Sequence, residues 1–166
     1  MFKKLFLLLL IVAPISAFAQ NKIAYVNAQE IFFKMPEMKD VESQLATERE
    51  TIQKRSAEIE TEFNTLAEKF QKDTTGLSES LLLDRQNQLD ALRQRYQSYV
   101  QTSGAEFEKK QQSLLQPLQE KMMRAIKEVG DENSYTCIIE AASLLYVGSS
   151  ALDASKLVKT KLNITD

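Results

Sequence analysis

The sequence predicts a mixed fold of strands and helices, a small base that carries one long antiparallel helical hairpin. Three observations predict it. A short alternating stretch at 22–27 and two apolar runs at 135–139 and 144–147 read as strands. Between them, from Glu37 to about Asp73, no proline or glycine follows Pro36, and Leu45, Ile52, Ile59 and Leu66 recur at intervals of seven. Seven-residue spacing is the mark of a coiled-coil seam. Finally, four Gly and three Pro among 166 residues are too few for a sandwich, which needs a turn every 8–12 residues or so.

The first 19 residues read as a leader and not as part of the fold. Lys3 and Lys4 precede an apolar run from Leu5 to Val12, then Pro14, Ser16 and the small-x-small sequence Ala17-Phe18-Ala19. This is the pattern of a cleaved secretory signal peptide, too short for a comfortable membrane span. The mature chain is expected to begin at Gln20. Without Lys3 and Lys4, the 21 basic and 23 acidic residues become 19 and 23, a net charge of −4. An exported protein with a short lysine-led signal belongs in a bacterial periplasm.

In the mature chain, Lys22-Ile-Ala-Tyr-Val-Asn27 forms the first strand and Ala28–Phe33 one or two helical turns. Pro36 then biases Met35 away from helix. The hairpin's first helix follows. Phe63 and Phe70 stand four residues after Ile59 and Leu66, while the companion seam positions Glu48, Arg55, Glu62 and Lys69 are charged. The seam is therefore thin and wet. A turn near 74–78 comes next, with Gly76 suited to a left-handed helix end and Ser78 or Thr75 able to cap a new helix. The apolar pattern resumes with Leu82, Leu89, Leu92, Tyr96 and Tyr99, then Phe107, Leu114, Leu118, Met122, Ile126 and Val129. Two long helices joined by a short turn fold back on each other; a first helix of roughly 37 residues is about 55 Å long. Pro117 costs a helix roughly 3 kcal/mol or a kink, and Gly104 about 1 kcal/mol.

The two late strands are expected to form a hairpin, followed by a turn at Gly148-Ser149-Ser150 and a helix from Ser155 to Leu162 carrying Leu157 and Val158. Asp153 or Ser155 can cap that helix. Cys137, the single cysteine, reads as a small buried hydrophobe on a strand. The domain reading is 20–36 plus 117–166 for the base and 37–116 for the hairpin.

Function follows partly from what is missing. The chain has no His and one Cys, which excludes His–Cys zinc sites, His-containing triads and an internal disulfide. Glu58, Glu60, Glu62, Glu106 and Glu108 lie on solvated helix, and no phosphate loop or dinucleotide motif is present. No enzyme activity and no cofactor are expected. Residues 37–76 hold ten acids and six bases, and 77–116 five of each, so no basic stripe invites nucleic acid. A base of about 60 residues is near the lower limit for a core of its own, and its strand edges invite pairing. A homo-oligomer is expected, with Ile23, Tyr25, Ile138, Leu145 and Val147 as interface candidates. On the hairpin, Phe63, Phe70, Tyr96, Tyr99 and Phe107 exceed what a seam needs, and some of them are candidates for apolar contact with a client chain.

Three stretches carry a family resemblance. Lys22–Asn27 with Ile31, Phe32 and Pro36 is similar to an opening strand, short helix and arm entry. Leu115-Gln-Pro117-Leu-Gln-Glu-Lys121, with Ala125, Ile126 and Val129, is similar to a return helix running into the base. Leu152-Asp-Ala-Ser155, with Leu157, Val158 and Leu162, is similar to an Asp-Ile/Leu-Thr signature, with Ala154 and Ser155 at its last two positions. Together they resemble the Skp/OmpH family of periplasmic chaperones for outer-membrane proteins, over essentially the whole mature chain. The resemblance implies an α+β fold with the hairpin inserted between the first and second strands. It also implies a jellyfish-shaped homotrimer whose subunits share a small β-barrel, and an ATP-independent holdase that encloses unfolded outer-membrane β-barrel proteins. Well-known members are basic, and their positive tentacles are linked to lipopolysaccharide or anionic membrane; the acidic balance here argues against that contact and leaves apolar contact dominant. The competing reading is a structural or adaptor coiled-coil protein of the envelope that binds one folded partner.

Overall fold

The computed structural model describes residues 22–72 and 78–165; the predicted leader and the turn at 74–77 lie outside them. The described residues fall into two compact units, one of 22–31 and 122–165 and one of 32–121.

In the first unit, strand β1 (Ile23–Val26) is followed by the start of helix α1 (Ala28–Lys34). Asn27 closes a reciprocal cap: its Oδ1 accepts from the Glu30 amide at 3.0 Å while its Nδ2 donates to Glu30 Oε2 at 3.3 Å. The unit resumes in the last turns of helix α3 (Glu79–Glu132), then strand β2 (Cys137–Glu140), a 3-10 turn (Ala141–Ser143), strand β3 (Leu152–Asp153) and helix α4 (Ser155–Lys161). The sheet order is β2-β1-β3, and both pairings are parallel. Along β1, Ala24 and Val26 point into the core with Ile31, Ala125, Val129, Val158 and Leu162, all buried. Burying each such aliphatic side chain is worth about 1.5–3 kcal/mol. Polar ties hold the rim. Glu140 Oε2 accepts from the Ala28 amide at 3.0 Å, Ser155 Oγ from the Asn27 amide at 3.1 Å, and Lys161 reaches both Glu128 and Glu132 on α3.

The second unit is helical. After α1 ends beside Pro36, helix α2 runs Met38–Lys72 for 35 residues. Helix α3, 54 residues long, passes through Gly104 and Pro117 without a break. Ser78 opens it, its carbonyl accepting from the amides of Leu81 and Leu82 at 3.0 Å. Contacts pair 37 with 121, 49 with 107, 62 with 95 and 63 with 93. The two members of each pair add to nearly the same number, which defines an antiparallel hairpin. Its seam is sparse: α2 buries only Met38, Val41 and Ile59, and Leu45, Ile52 and Leu66 are half-buried. On α3 the buried positions between 79 and 121 are Leu89, Ser103 and Leu118.

Three expectations at the end of the chain need correction. Residues 144–147 are not a strand, and 135–147 is not a hairpin. β2 instead lies parallel to β1, the 3-10 turn diverts the chain, and β3 takes the other side of β1. β-rich sequence makes a strand only where a sheet edge receives it. Leu145 and Val147 therefore sit on irregular backbone, both exposed. Cys137 lies on a strand but is exposed, because it is the first residue of an edge strand and shares the outer face with Ile23. The turn at 149–150 and the final helix match the expectation, and the Asp153 carboxylate accepts from the Ser155 amide at 2.8 Å.

Candidate functional site

Two surfaces carry the residues singled out from the sequence. On the hairpin, Phe63 is half-buried and stands beneath the guanidinium of Arg93, 5.6 Å from the ring centroid; Phe107 stands likewise beneath Arg49 at 5.5 Å. Each cation–π pair links the two helices and is worth about 0.5–1 kcal/mol at such exposure. The arginines thus supply what the seam lacks in buried aliphatics. Phe63 and Tyr96 come together, lining a cleft of about 220 Å³ with Ile59, Leu92 and Arg93. Tyr96 is the most open of the five candidates at 39% exposure. Tyr99 is half-buried near Arg55, and Phe70 is half-buried close to the end of α2. The five rings are therefore spread along the hairpin and form no single patch.

A larger groove, about 900 Å³, runs along another side of the same hairpin. Ala57, Leu66, Ala91 and Leu92 line it together with Lys54, Glu58, Glu62 and Lys69. Its acids are engaged. Arg55 donates to Glu58 at 2.8 Å and holds its carboxyl below the ordinary range, with Lys54 adding to the effect. Arg95, on the opposite helix, donates to Glu62 at 3.1 Å. Sequence reasoning missed this groove. Ala57, Thr61 and Thr65, spaced by four, carry the only signal, because small residues on one helix face leave a trough beside bulkier neighbours.

Nearer residue 121, Glu37 accepts from Lys121, and this hydrogen bond holds its carboxyl below the ordinary range against the opposing effect of burial.

In the first unit, the sheet has one covered and one open face. Ile23, Tyr25 and Ile139 lie on the open face, because strand neighbours in register share a side: Ile23 with Cys137, Tyr25 with Ile139. Ile138 pairs with Ala24 and points to the covered side, its Cδ1 3.6 Å from where a Cβ on Gly130 would stand. Ile23 is 52% exposed, and Leu145, Tyr146 and Val147 add an exposed apolar run. Burial foremost, with Asp153 beside it, raises the Tyr25 hydroxyl above its usual pKa.

Among the described residues, no cluster of His, Cys, Asp or Glu could hold a metal ion, and no helix is long and apolar enough to cross a membrane.

The family model described as "Outer membrane protein (OmpH-like)" matches residues 22–162. Among curated proteins, the chain is 26% identical over 157 residues to the "Chaperone protein Skp" of Pectobacterium atrosepticum, covering 91% of this chain and 93% of that one. It is 25% identical over 144 residues to the "Chaperone protein Skp" of Photorhabdus luminescens, covering 86% and 87%. Among solved structures, a candidate outer membrane chaperone (OmpH-like) from Caulobacter crescentus superposes with a TM-score of 0.77 at 15% identity, over 89% of this chain and 86% of that one. At that identity the likeness is one of fold.

Proposed function

The chain belongs to the OmpH-like family, and from that premise we propose that it is a periplasmic, ATP-independent holdase that encloses unfolded outer-membrane β-barrel proteins and prevents their aggregation. The relatives it matches are named as chaperones, and a chain without histidine has little means of acid–base chemistry near neutral pH. One observation carries the assembly behind this function. The small sheet leaves a face holding Ile23, Tyr25 and Ile139 open, and the same unit carries the exposed apolar run 145–147. A unit of this size does not stably keep such a face in water, and a second and third copy cover it. The body of 20–36 and 117–166 then forms a trimer around a shared β-barrel, and the hairpins of 37–116 surround a cavity.

The client meets many weak contacts there. Tyr96 and Tyr99 offer apolar rings, while Phe63 and Phe107 share their rings with arginines. Contacts of this kind suit unfolded clients of varied sequence. Arms with so few buried seam residues flex outward to admit a chain and close around it. The test is the native mass of the chain 20–166, alone and after mixing with an outer-membrane barrel diluted from urea. Three subunits, and then three subunits with one soluble client, are expected. A monomer or dimer that lets the barrel precipitate removes the cavity and the holdase function with it. Replacing Phe63, Phe70 and Tyr96 together by Ser should weaken capture while the trimer mass persists; unchanged capture would assign these rings to the hairpin alone.

A further inference from the structure

We infer that α3 carries a hinge at Ser103–Gly104, about which the distal part of the hairpin swings on the part nearer residue 121. Sharp bends in long helices arise at prolines and at Gly/Ser pairs, and α3 holds both, in Pro117 and in Ser103–Gly104. The surroundings decide which of the two yields. Pro117 is braced: Leu118 beside it is buried, as are Met38 and Val41 on α2, and Lys121 is tied to Glu37.

Ser103–Gly104 has no such support. Between Val41 and Ile59 no residue of α2 is buried, and between Leu89 and Leu118 the one buried residue of α3 is Ser103. Its hydroxyl turns to its own helix, Oγ donating to the Tyr99 carbonyl at 2.6 Å with the Val100 carbonyl at 3.3 Å. The proton is therefore not offered to α2, and back-bonding of this kind bends helices and weakens them slightly. Next to it, no atom lies within 4 Å of where a Cβ on Gly104 would stand. Packing does not ask for glycine here. What glycine brings is backbone freedom.

The opposite helix is loosened at the same level. Since Arg49 meets Phe107, position 104 stands across from residues near 52. There Thr51 Oγ1 donates to the Thr47 carbonyl at 2.9 Å and Thr47 Oγ1 to the Ser43 carbonyl at 3.0 Å, the same back-bonding. On the far side the helices are joined again by the buried Ile59 and Leu89 and by Arg95 donating to Glu62 at 3.1 Å. Two anchored segments thus flank one unanchored stretch with a breaker in it. Its use rests on the holdase function: the hinge is where an arm opens to admit a client.

The experiment places spin labels on N87C/Q112C in the chain 20–166 carrying C137S, diluted with unlabelled chain so that one labelled copy reports per assembly. The two exposed sites are 25 positions apart on α3, about 38 Å in a straight helix, and a bend of about 60° at 104 brings them to about 33 Å. Double electron–electron resonance should show both distances. G104A should cut the short population about fivefold, the factor that the helix-propensity gap between Gly and Ala implies. The pair N87C/Q101C, which does not cross the hinge, should give one narrow distance near 21 Å. A single 38 Å distance in the parent, a short population that G104A leaves intact, or equal breadth in the 87–101 pair overturns the hinge. Capture of an outer-membrane barrel diluted from urea is timed in parallel and should slow in G104A; an unchanged rate overturns the hinge's use in admitting clients. A parent protein that keeps the barrel soluble without a short population refutes the hinge and spares the holdase function. One that bends as described while the barrel precipitates refutes the holdase function and spares the hinge.

Discussion

Replacing Ile59 with alanine tests whether the hairpin is held by isolated anchors. Ile59 is 1% exposed and is the only buried residue of α2 beyond Val41. The substitution removes three carbons, worth about 0.8 kcal/mol each, or about 2.4 kcal/mol in total before any cavity cost. The site opens on the cleft with Phe63 and Tyr96, so neighbours can collapse and the cavity cost stays small. A loss of about 2.4 kcal/mol raises the opening constant of the surrounding segment about 50-fold. Amide hydrogen exchange reads this directly. Amides of 55–66 and 89–100 should exchange about 50-fold faster in the variant, while those of β2 and α4 keep their wild-type rates. The same truncation at the half-buried Ile52 should give a clearly smaller change. Equal effects at 52 and 59 would refute the isolated-anchor picture, and so would acceleration spread evenly over the whole chain.

Gly104 has no atom within 4 Å of where a Cβ would stand, so G104A should stabilise α3 by about 1 kcal/mol, read as a higher thermal midpoint; a lower midpoint would contradict the open surroundings. Acid should loosen the Glu37–Lys121 tie. A carboxyl held below its ordinary value of 4.5 contributes stability that is complete above that value and is lost as pH falls through the lowered one. The pH dependence of unfolding below 4.5 should therefore be shallower in E37Q than in wild type, and identical slopes would show that the pair contributes nothing. Client affinity should fall less than tenfold between 50 and 500 mM salt, because screened surface charges are the minor part of binding; a hundredfold fall measured by titration would reverse that ranking.

What the sequence made legible is what local rules control. The recurrence of Leu45, Ile52, Ile59 and Leu66 announces the hairpin, Pro36 marks the end of α1, and the final helix is found within a residue. The missed features depend on distant partners. Whether 144–147 pairs is decided by which segments reach the two sides of β1, and β3, only two residues long, is too short to show an alternation. Cys137 is exposed because its strand is at an edge, a property of the sheet and not of its neighbours in sequence. Likewise Arg49 and Arg93 look like ordinary solvated charges until the opposite helix sets Phe107 and Phe63 beneath them. The groove escaped for the opposite reason: Ala57 and Ala91 act through the volume they leave empty, and no hydrophobic period reports an absence.

The parallel pairing of β1 also fixes a timetable. Ile23 pairs with Cys137, 114 positions further along the chain (137 minus 23). A chain leaving the ribosome or a membrane channel from its N-terminus presents β1 first and both of its neighbours last. The intervening helices can form and meet quickly through local contacts, whereas the sheet must wait for a slow, long-range closure. Until the final 30 or so residues emerge there is no sheet, so under the proposed assembly unfinished chains lack the face on which copies meet. Truncation near the C-terminus would then leave hairpins that fold without a partner surface, and a single late frameshift would be as damaging to assembly as loss of the first strand.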